Sequence, residues 1–142
     1  IGLQNLYNQK KIYMGEKDLQ QYYLVKKFLK KKYNTNIIKC PTIRDSNDIA
    51  LSSRNSLLNK KHKRIASKII FELREIKKEI NRTNKIGNIL KIKSKYLTDN
   101  YNIIIEYLEL RNFKNLKKSF TLKNSKLFIA YYINKIRLID NL

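Results

Sequence analysis

The sequence is poor in the residues that break secondary structure or cross-link chains. Its 142 residues include one proline, three glycines, one cysteine and one histidine. The lone Cys40 excludes an internal disulfide framework, and the lone His62 excludes a histidine-rich metal site. Acidic residues are also scarce, since 11 of them face 32 basic residues and leave a net charge of +21.

Long apolar runs are missing as well. The longest, such as Ile103–Ile105, have the length of a strand and fall far short of a bilayer-spanning helix. Residues 1–9 contain no charged start followed by an apolar core, so no secretory signal is predicted. The sequence therefore predicts a cytoplasmic protein with no membrane partner.

The excess of lysine has two interpretations. A net charge of +21 is typical of nucleic-acid-binding proteins. However, the chain carries 25 Lys against 7 Arg, together with 17 Asn and 21 Ile, and the abundant residues all have AT-rich codons. Arg, which suits bidentate recognition of bases and phosphates, is not enriched. Codon bias is the preferred explanation, and a basic RNA-binding or ribosomal protein is the alternative.

A strand–helix–strand unit is predicted near the start. Lys10–Met14 has the pattern of a strand, and Asp18 can cap a helix that ends near Lys32. Residues 34–36 break this helix, and Ile37–Ile38 begins a second strand. Apolar positions at helical spacing form the predicted buried stripe: Tyr22, Val25, Phe28 and Leu29. The short connections predict a βαβ unit with parallel strands.

The rest of the chain predicts a small α+β domain. After a polar loop, Asn59 can cap a helix with an apolar stripe at Ile65, Ile69, Leu73, Ile76 and Ile80, and with His62 on its solvated side. A second helix is predicted over about Ile86–Leu97. Three strands follow, at Ile103–Leu110, Leu127–Tyr132 and Ile136–Ile139. Asn134 can supply the positive φ of a tight turn between the last two strands.

Two polar clusters are candidates for chemistry. Gly15–Asp18, with Gln20 and Gln21 one turn later, lies where a strand ends and a helix begins, the side of an α/β sheet on which ligands bind. Ser52–Asn55 places two hydroxyls and a guanidinium in succession, a set that could surround a polyphosphate. Taken alone, each cluster is better explained by a structural role, the first as a capped helix and the second as a turn with a solvated arginine.

The two clusters belong to a longer series of motifs. The series is Y-M-G-E-K-D-L-Q-Q (13–21), P-T-I-R-D (41–45), I-A-L-S-S-R-N (49–55), Y-L-E-L-R (107–111) and R-L-I-D-N (137–141). In this order and at this separation, the motifs closely resemble those of pantothenate synthetases, ligases that join pantoate to β-alanine with ATP. The helical region 65–102 contributes little to the resemblance.

The resemblance implies a fold and a domain division. Residues 1–44 would be the last βαβ part of a Rossmann-like nucleotidyltransferase domain that binds ATP and pantoate, with its N-terminal half absent. Residues 45–58 would form a phosphate-binding loop, and residues 59–142 a small α+β domain. The full-length protein would be a homodimer. With half of its active site, the isolated chain is expected to be inactive.

The resemblance also implies a reaction. Pantoate would react with ATP to give pantoyl adenylate and pyrophosphate, and β-alanine would then displace AMP. The implied ATP-binding residues are Gly15, Glu16, Lys17, Asp18, Ile43, Leu51, Ser52, Ser53 and Arg54. Lys17, Ser52, Ser53 and Arg54 form the implied catalytic set, and Gln21 would bind pantoate. The Mg²⁺ ligands are expected in the absent half, and no nucleic-acid partner is expected.

One departure from the family pattern affects the phosphate-binding loop. Asn47-Asp48 stands where the family has Asp-Gly, so a position that favours a permissive backbone carries a side chain. Asn and Asp tolerate the left-handed conformation best among the other residues, which predicts that the loop is preserved. A degenerate paralogue with the fold and without the activity is the third interpretation.

Overall fold

A computed structural model describes residues 10–33, 35–83 and 85–142, apart from the side chains of 30–32. The predictions made for residues 1–9 and for a helix break at Asn34 lie outside the described residues. The chain divides into two compact units, Ile1–Thr42 and Ile43–Leu142. Both contain helices and strands, so the fold is mixed α/β.

The first unit contains the predicted strand–helix–strand arrangement. Strand β1 (Lys11–Gly15) leads through a short 3-10 turn (Glu16–Asp18) into helix α1 (Leu19–Tyr33), which is followed by strand β2 (Asn36–Cys40). The two strands pair in parallel, from Lys11 opposite Asn36 to Gly15 opposite Cys40. The predicted βαβ unit with parallel strands is therefore confirmed.

Helix α1 buries a narrower stripe than the sequence predicts. Leu19, Tyr22 and Leu29 are buried, whereas Phe28 is 46% exposed, so its predicted burial is wrong. In the described part of this unit the helix packs on a pair of strands, which is too narrow to cover a broad helical face. Leu24, on the adjoining part of the same helix, is 71% exposed.

The second unit is α+β. Helices α2 (Lys60–Ile80) and α3 (Ile86–Tyr101) precede strands β3 (Ile104–Asn112), β4 (Ser125–Ile133) and β5 (Ile136–Asn141). The strands form one antiparallel sheet in the order β3-β4-β5. All five predicted elements are present, and α3 continues four residues beyond its predicted end because its last turn is polar and carries no apolar signal.

The core of the second unit lies between the two helices and the sheet. Four of the five predicted α2 stripe residues are buried, Ile69, Leu73, Ile76 and Ile80, and Ile65 packs against them. The sheet contributes the other side of the same core: Leu108, Leu110, Leu127, Ile129, Tyr131, Ile133 and Leu138. None of the described helices combines the length and the apolar content that crossing a membrane requires.

Asparagine fixes several of the turns. The Asn59 side chain caps α2 by accepting a hydrogen bond from the His62 amide at 2.8 Å, as predicted. Asn102 ends α3 at φ 49°, and Asn134 forms the β4–β5 turn at φ 53°. Both angles lie in the left-handed region, which Asn occupies more readily than most residues with a side chain. The predicted tight turn is therefore confirmed.

Candidate active site

The first group of predicted site residues lies at the corner between β1 and α1. Gly15 is exposed, has an ordinary extended backbone at φ −66°, and a Cβ added there would meet no atom within 4 Å. Neither backbone strain nor packing within the described chain therefore requires a glycine at this position. The space beside Gly15 is open to an external group.

The acidic residue of this corner has a structural partner. The Glu16 carboxylate accepts a hydrogen bond from Lys39 Nζ at 2.9 Å, and the Glu16 side chain is only 17% exposed. Because Lys39 lies on β2, this ion pair links the ends of the two parallel strands. Lys17 is half-buried, and Asp18 and Gln21 are exposed on the first turns of the helical segment.

The second group of predicted site residues begins on a short hairpin. The Leu51 amide donates to the Ile43 carbonyl at 2.9 Å, and the Asp45 amide donates to the Ile49 carbonyl at 2.9 Å. Asp45 Oδ1 closes the turn by accepting from the amides of Asn47 and Ile49, at 2.9 and 3.0 Å. Ile43 and Leu51 are 68% and 53% exposed, so the hairpin presents two apolar side chains outward.

Asp48 occupies the position at which the family pattern has glycine. Its φ of 64° is left-handed, which confirms the predicted backbone preference. Its carboxylate forms an ion pair with Arg74 Nη2 of α2 at 2.6 Å and lies 3.9 Å from Arg44 Nε. The substitution therefore preserves the turn and adds a contact between the hairpin and α2.

The hairpin is also held to the last strand. Arg44 donates two parallel hydrogen bonds to Asp140 of β5, Nη1 to Oδ2 at 2.7 Å and Nη2 to Oδ1 at 2.9 Å. The two side chains are 17% and 3% exposed. Partial burial alone would lower the pKa of Arg44, but the hydrogen bond to Asp140 and the charge of Asp140 raise this pKa above its ordinary value. The pair is a bidentate, largely desolvated ion pair.

The S-S-R-N segment follows the hairpin as a short helical turn. Residues Ser53–Leu57 form a 3-10 helix, and Ser52 Oγ caps it by accepting from the Arg54 amide at 3.2 Å. Asn55 Nδ2 donates to the Ala50 carbonyl at 3.2 Å, which ties the segment back to the hairpin. Ser53 and Arg54 are exposed, so the hydroxyl and the guanidinium are presented to the outside.

The structure thus gathers the implied phosphate-binding residues into one rigid support. Ile43 and Leu51 are paired, and Ser52, Ser53 and Arg54 follow within three residues. Gly15, Lys17 and Gln21 belong to the other compact unit. Whether Lys17 and Ser53 meet at a common triphosphate stays a prediction.

Sequence reasoning did not identify the ion pairs that support this loop. Arg44 and Asp140 both lie in quoted motifs, yet 96 residues separate them and neither was given a role. A signal was available in Asp140, an acidic residue in an apolar strand, because a buried carboxylate needs a cationic partner. Its partner could not be identified from spacing alone.

The rest of the described chain offers no metal site and one larger cavity. No three His, Cys, Asp or Glu side chains in that part of the chain could together hold a metal ion, so no Mg²⁺ ligand is assigned to them. A cavity of about 630 Å³ opens between α3 and β3, lined in part by Leu90, Leu108 and Phe120. None of the predicted site residues lines it, and we assign it no role in the chemistry.

The comparisons with known proteins identify the family of this chain. The family model of pantoate-beta-alanine ligase matches residues 2–142, so the chain belongs to this family. A pantothenate synthetase of Flavobacterium psychrophilum is 35% identical over 134 residues, which are 92% of this chain and 47% of that protein. The chain thus spans about half the length of the curated relatives it matches.

Two solved structures are similar to the whole chain. A pantothenate synthetase from Thermus thermophilus has a TM-score of 0.86 at 24% identity, covering 99% of this chain and 52% of that one, a likeness of fold alone. A pantoate-beta-alanine ligase from Francisella tularensis, complexed with beta-gamma ATP and beta-alanine, has a TM-score of 0.72 at 33% identity. This match covers 99% of this chain and 46% of the Francisella tularensis chain.

We expect Asp140→Ala to lower the free energy of unfolding by about 3 kcal/mol, because it removes both carboxylate hydrogen bonds of the largely buried Arg44 guanidinium and leaves only its contacts with Asp48. Equilibrium urea unfolding measures the loss. The control is Glu75→Ala, which removes an exposed pair with Lys78 and should change stability by about 0.5 kcal/mol or less. Equal losses in the two variants would show that Asp140 is not an essential support.

Variants of Asp48 test the left-handed turn separately from the ion pair. Asp48→Gly and Asp48→Ala both lose the contact with Arg74, but only alanine carries a strained Cβ at φ 64°. We expect the alanine variant to be less stable than the glycine variant by about 1 kcal/mol, after the entropy cost of glycine is included. Thermal and urea unfolding measure this difference, and an alanine variant as stable as the glycine variant would contradict it.

Proposed function

We propose that this chain provides part of the ATP and pantoate site of an ATP-dependent ligase that joins pantoate to β-alanine. The observation that carries the proposal is the family match over residues 2–142. The Francisella tularensis ligase, whose structure contains beta-gamma ATP and beta-alanine, supports ATP and β-alanine as substrates. Pantoate as the third substrate follows from the name of the family.

The proposed reaction proceeds through an acyl adenylate. A carboxylate oxygen of pantoate attacks the α-phosphorus of ATP. The bond between the α-phosphorus and the oxygen that bridges it to the β-phosphate then breaks, which releases pyrophosphate. The β-alanine amine then attacks the pantoyl carbonyl, loses a proton, and expels AMP. Both steps need positioned substrates and neutralised phosphate charge more than a covalent nucleophile.

The proposed roles are those that the resemblance to the family implies. Lys17 would neutralise phosphate charge at the β1–α1 corner, and Ser52, Ser53 and Arg54 would bind the polyphosphate from the supported loop. The exposure of Ser53 and Arg54 supports this role, because neither side chain is buried in the core of the second unit. Arg54 can donate charge-assisted hydrogen bonds to two phosphate oxygens at once.

The remaining roles concern the nucleoside and the pantoate. Gly15 and Asp18 would contact the ribose of ATP, and Glu16 would lie beside them in the ATP site. Gln21 would bind pantoate. The open space beside Gly15 supports close approach of a ribose to the backbone. Ile43 would meet the adenine through its backbone, whose orientation is fixed by the hydrogen bond from Leu51.

The finer fold assignment belongs to the same proposal. The first unit would be the last βαβ part of a Rossmann-like domain, since parallel strands are normally covered on both faces and Tyr13 of β1 is 64% exposed here. The second unit would be the small C-terminal domain. A homodimer, a cytoplasmic location and Mg²⁺ ligands in the other half of the ligase stay predictions.

The chain alone should show negligible turnover, because it would supply only part of the substrate contacts. The turnover is measured as AMP release from ATP, pantoate and β-alanine. The comparison sample is the same chain combined with the half of the ligase that the relatives contain and this chain does not span. Combination should restore activity. Full activity of the chain alone would refute the half-site proposal, and no activity in either form would favour a degenerate paralogue.

In the combined ligase, Lys17→Ala and Arg54→Ala should each lower kcat/KM for ATP by about 100-fold or more, the usual effect of losing one preorganised charge donor. Lys27→Ala and Arg82→Ala are matched controls, since both side chains are exposed and lie outside the proposed site. Unchanged kinetics in both site variants would refute the assignment of these residues.

The charge of +21 keeps one alternative open, a basic RNA-binding protein. This alternative requires tight RNA binding that weakens steeply with salt concentration, because phosphate contacts release counterions. The ligase proposal requires no such affinity.

A further inference from the structure

The first half of α2 carries a charge pattern that the ligase proposal does not explain. Five cationic residues lie between positions 60 and 68, and no acidic residue accompanies them: Lys60, Lys61, Lys63, Arg64 and Lys68. The first turn of this helix contains no acidic side chain. A helix N-terminus carries partial positive charge, so lysine there is unfavourable unless an anion is nearby.

Three of these cations line one cavity. The cavity has a volume of about 540 Å³ and is enclosed by α2, the end of α3 and the β4–β5 turn. Lys61, Arg64 and Lys68 form one wall, at positions three and four residues apart, which face the same side of a helix. Asn100, Asn102 and Asn134 lie on the opposing walls. The lining therefore combines full positive charges with side-chain amides.

Among the residues that the structure describes, no carboxylate lines this cavity. Glu72, one turn beyond Lys68 on α2, accepts hydrogen bonds from the hydroxyls of Tyr101 at 3.1 Å and Tyr96 at 3.4 Å. Burial and the bond to Glu72 raise the pKa of Tyr101 to about 12, so Tyr101 brings no negative charge to the wall at neutral pH. The C-terminal end of α3 contributes only about half a negative charge, against three cations.

His62 provides an independent observation in the same cavity. His62 lies on the polar side of the helix, as predicted, and is partly buried there, while its Nδ1 atom is buried and has no hydrogen-bond partner among the described residues. Its Nε2 lies 3.2 Å from Asn134 Nδ2, so the ring contacts the β4–β5 turn. The cavity wall therefore includes one ring nitrogen whose hydrogen-bonding capacity is not used by the described residues.

We propose that this cavity binds a compact phosphate-bearing anion of about the size of a diphosphate, at a site built by α2, the end of α3 and the β4–β5 turn. The three cations neutralise the anion, and the asparagines donate to its oxygens the amide protons that Asn100 and Asn134 do not direct to the Tyr96 carbonyl and the His62 ring. A concave site enclosed by three elements suits a small ligand, whereas single-stranded RNA requires an extended groove with aromatic faces for stacking. The inference rests on this cavity alone and not on the ligase proposal.

Inorganic pyrophosphate is the probe, and His62 is the reporter, because it is the only histidine in the chain and its ring protons give unambiguous NMR signals. We expect saturable shifts of these signals and of the side-chain amides of Asn102 and Asn134. Lys61→Gln/Arg64→Gln/Lys68→Gln should weaken binding about tenfold or more. Arg82→Gln/Lys114→Gln/Lys117→Gln removes the same charges at exposed positions outside the cavity and should stay within about twofold.

An Arg54→Ala chain separates this site from the proposed phosphate-binding loop. The His62 shifts should persist in that variant, since Arg54 does not line the cavity. Their loss would place the anion at the loop and overturn the inference. Equal weakening in the two triple variants would show a non-specific effect of charge, and would also overturn it.

A short single-stranded RNA is the competing probe. RNA that shifts the His62 signals while pyrophosphate leaves them unchanged would replace the inference with a nucleic-acid partner. An unshifted His62 in the wild-type chain at saturating pyrophosphate would refute the site directly, without reliance on any variant.

Discussion

The bidentate ion pair between Arg44 and Asp140 is the constraint on which the second unit depends. It joins the hairpin that begins this unit to the strand that ends it, across 96 residues of sequence. A largely buried guanidinium is tolerated only with a matched carboxylate, so the two residues fix each other's position. The hairpin and the S-S-R-N turn that follows it therefore rest on the sheet rather than on a flexible connection. A phosphate-binding loop benefits from such support, because preorganised donors need not be reorganised during the reaction.

The scarcity of glycine and of acidic residues conflicts with some requirements of the fold, and each requirement is met by particular residues. A sequence with few glycines must form left-handed turns by other means. Among the described residues, four of the five non-glycine positions with positive φ are Asn or Asp: Asp48, Asn102, Asn124 and Asn134. Lysine likewise fills the surface, yet many of the acidic residues are used in specific pairs, such as Glu16 with Lys39 and Glu109 with Lys118. In the described residues, Asn and Asp therefore meet most of the backbone requirements that glycine would otherwise meet.

The regular elements could be predicted from the sequence, because apolar periodicity and asparagine caps are local signals. The βαβ unit, both helices of the second unit and its three strands are present near their predicted positions. Three features could not be predicted. The exposure of Phe28 depends on how many strands lie beneath α1, the ion pair of Arg44 depends on contacts distant in sequence, and the contact of His62 Nε2 with Asn134 depends on the β4–β5 turn. The motifs indicated the candidate site residues but did not indicate the ion pairs that support them.

The contact between Asp48 and Arg74 has an evolutionary consequence. A glycine at position 48 has no side chain that could contact α2, whereas Asp48 places its carboxylate 2.6 Å from the guanidinium of Arg74 on that helix. After that replacement, the tolerance of position 74 to substitution depends on position 48. The two positions are therefore expected to be inherited together in relatives of this chain, although neither is a candidate to touch substrate. A single turn residue can in this way couple a loop to a helix.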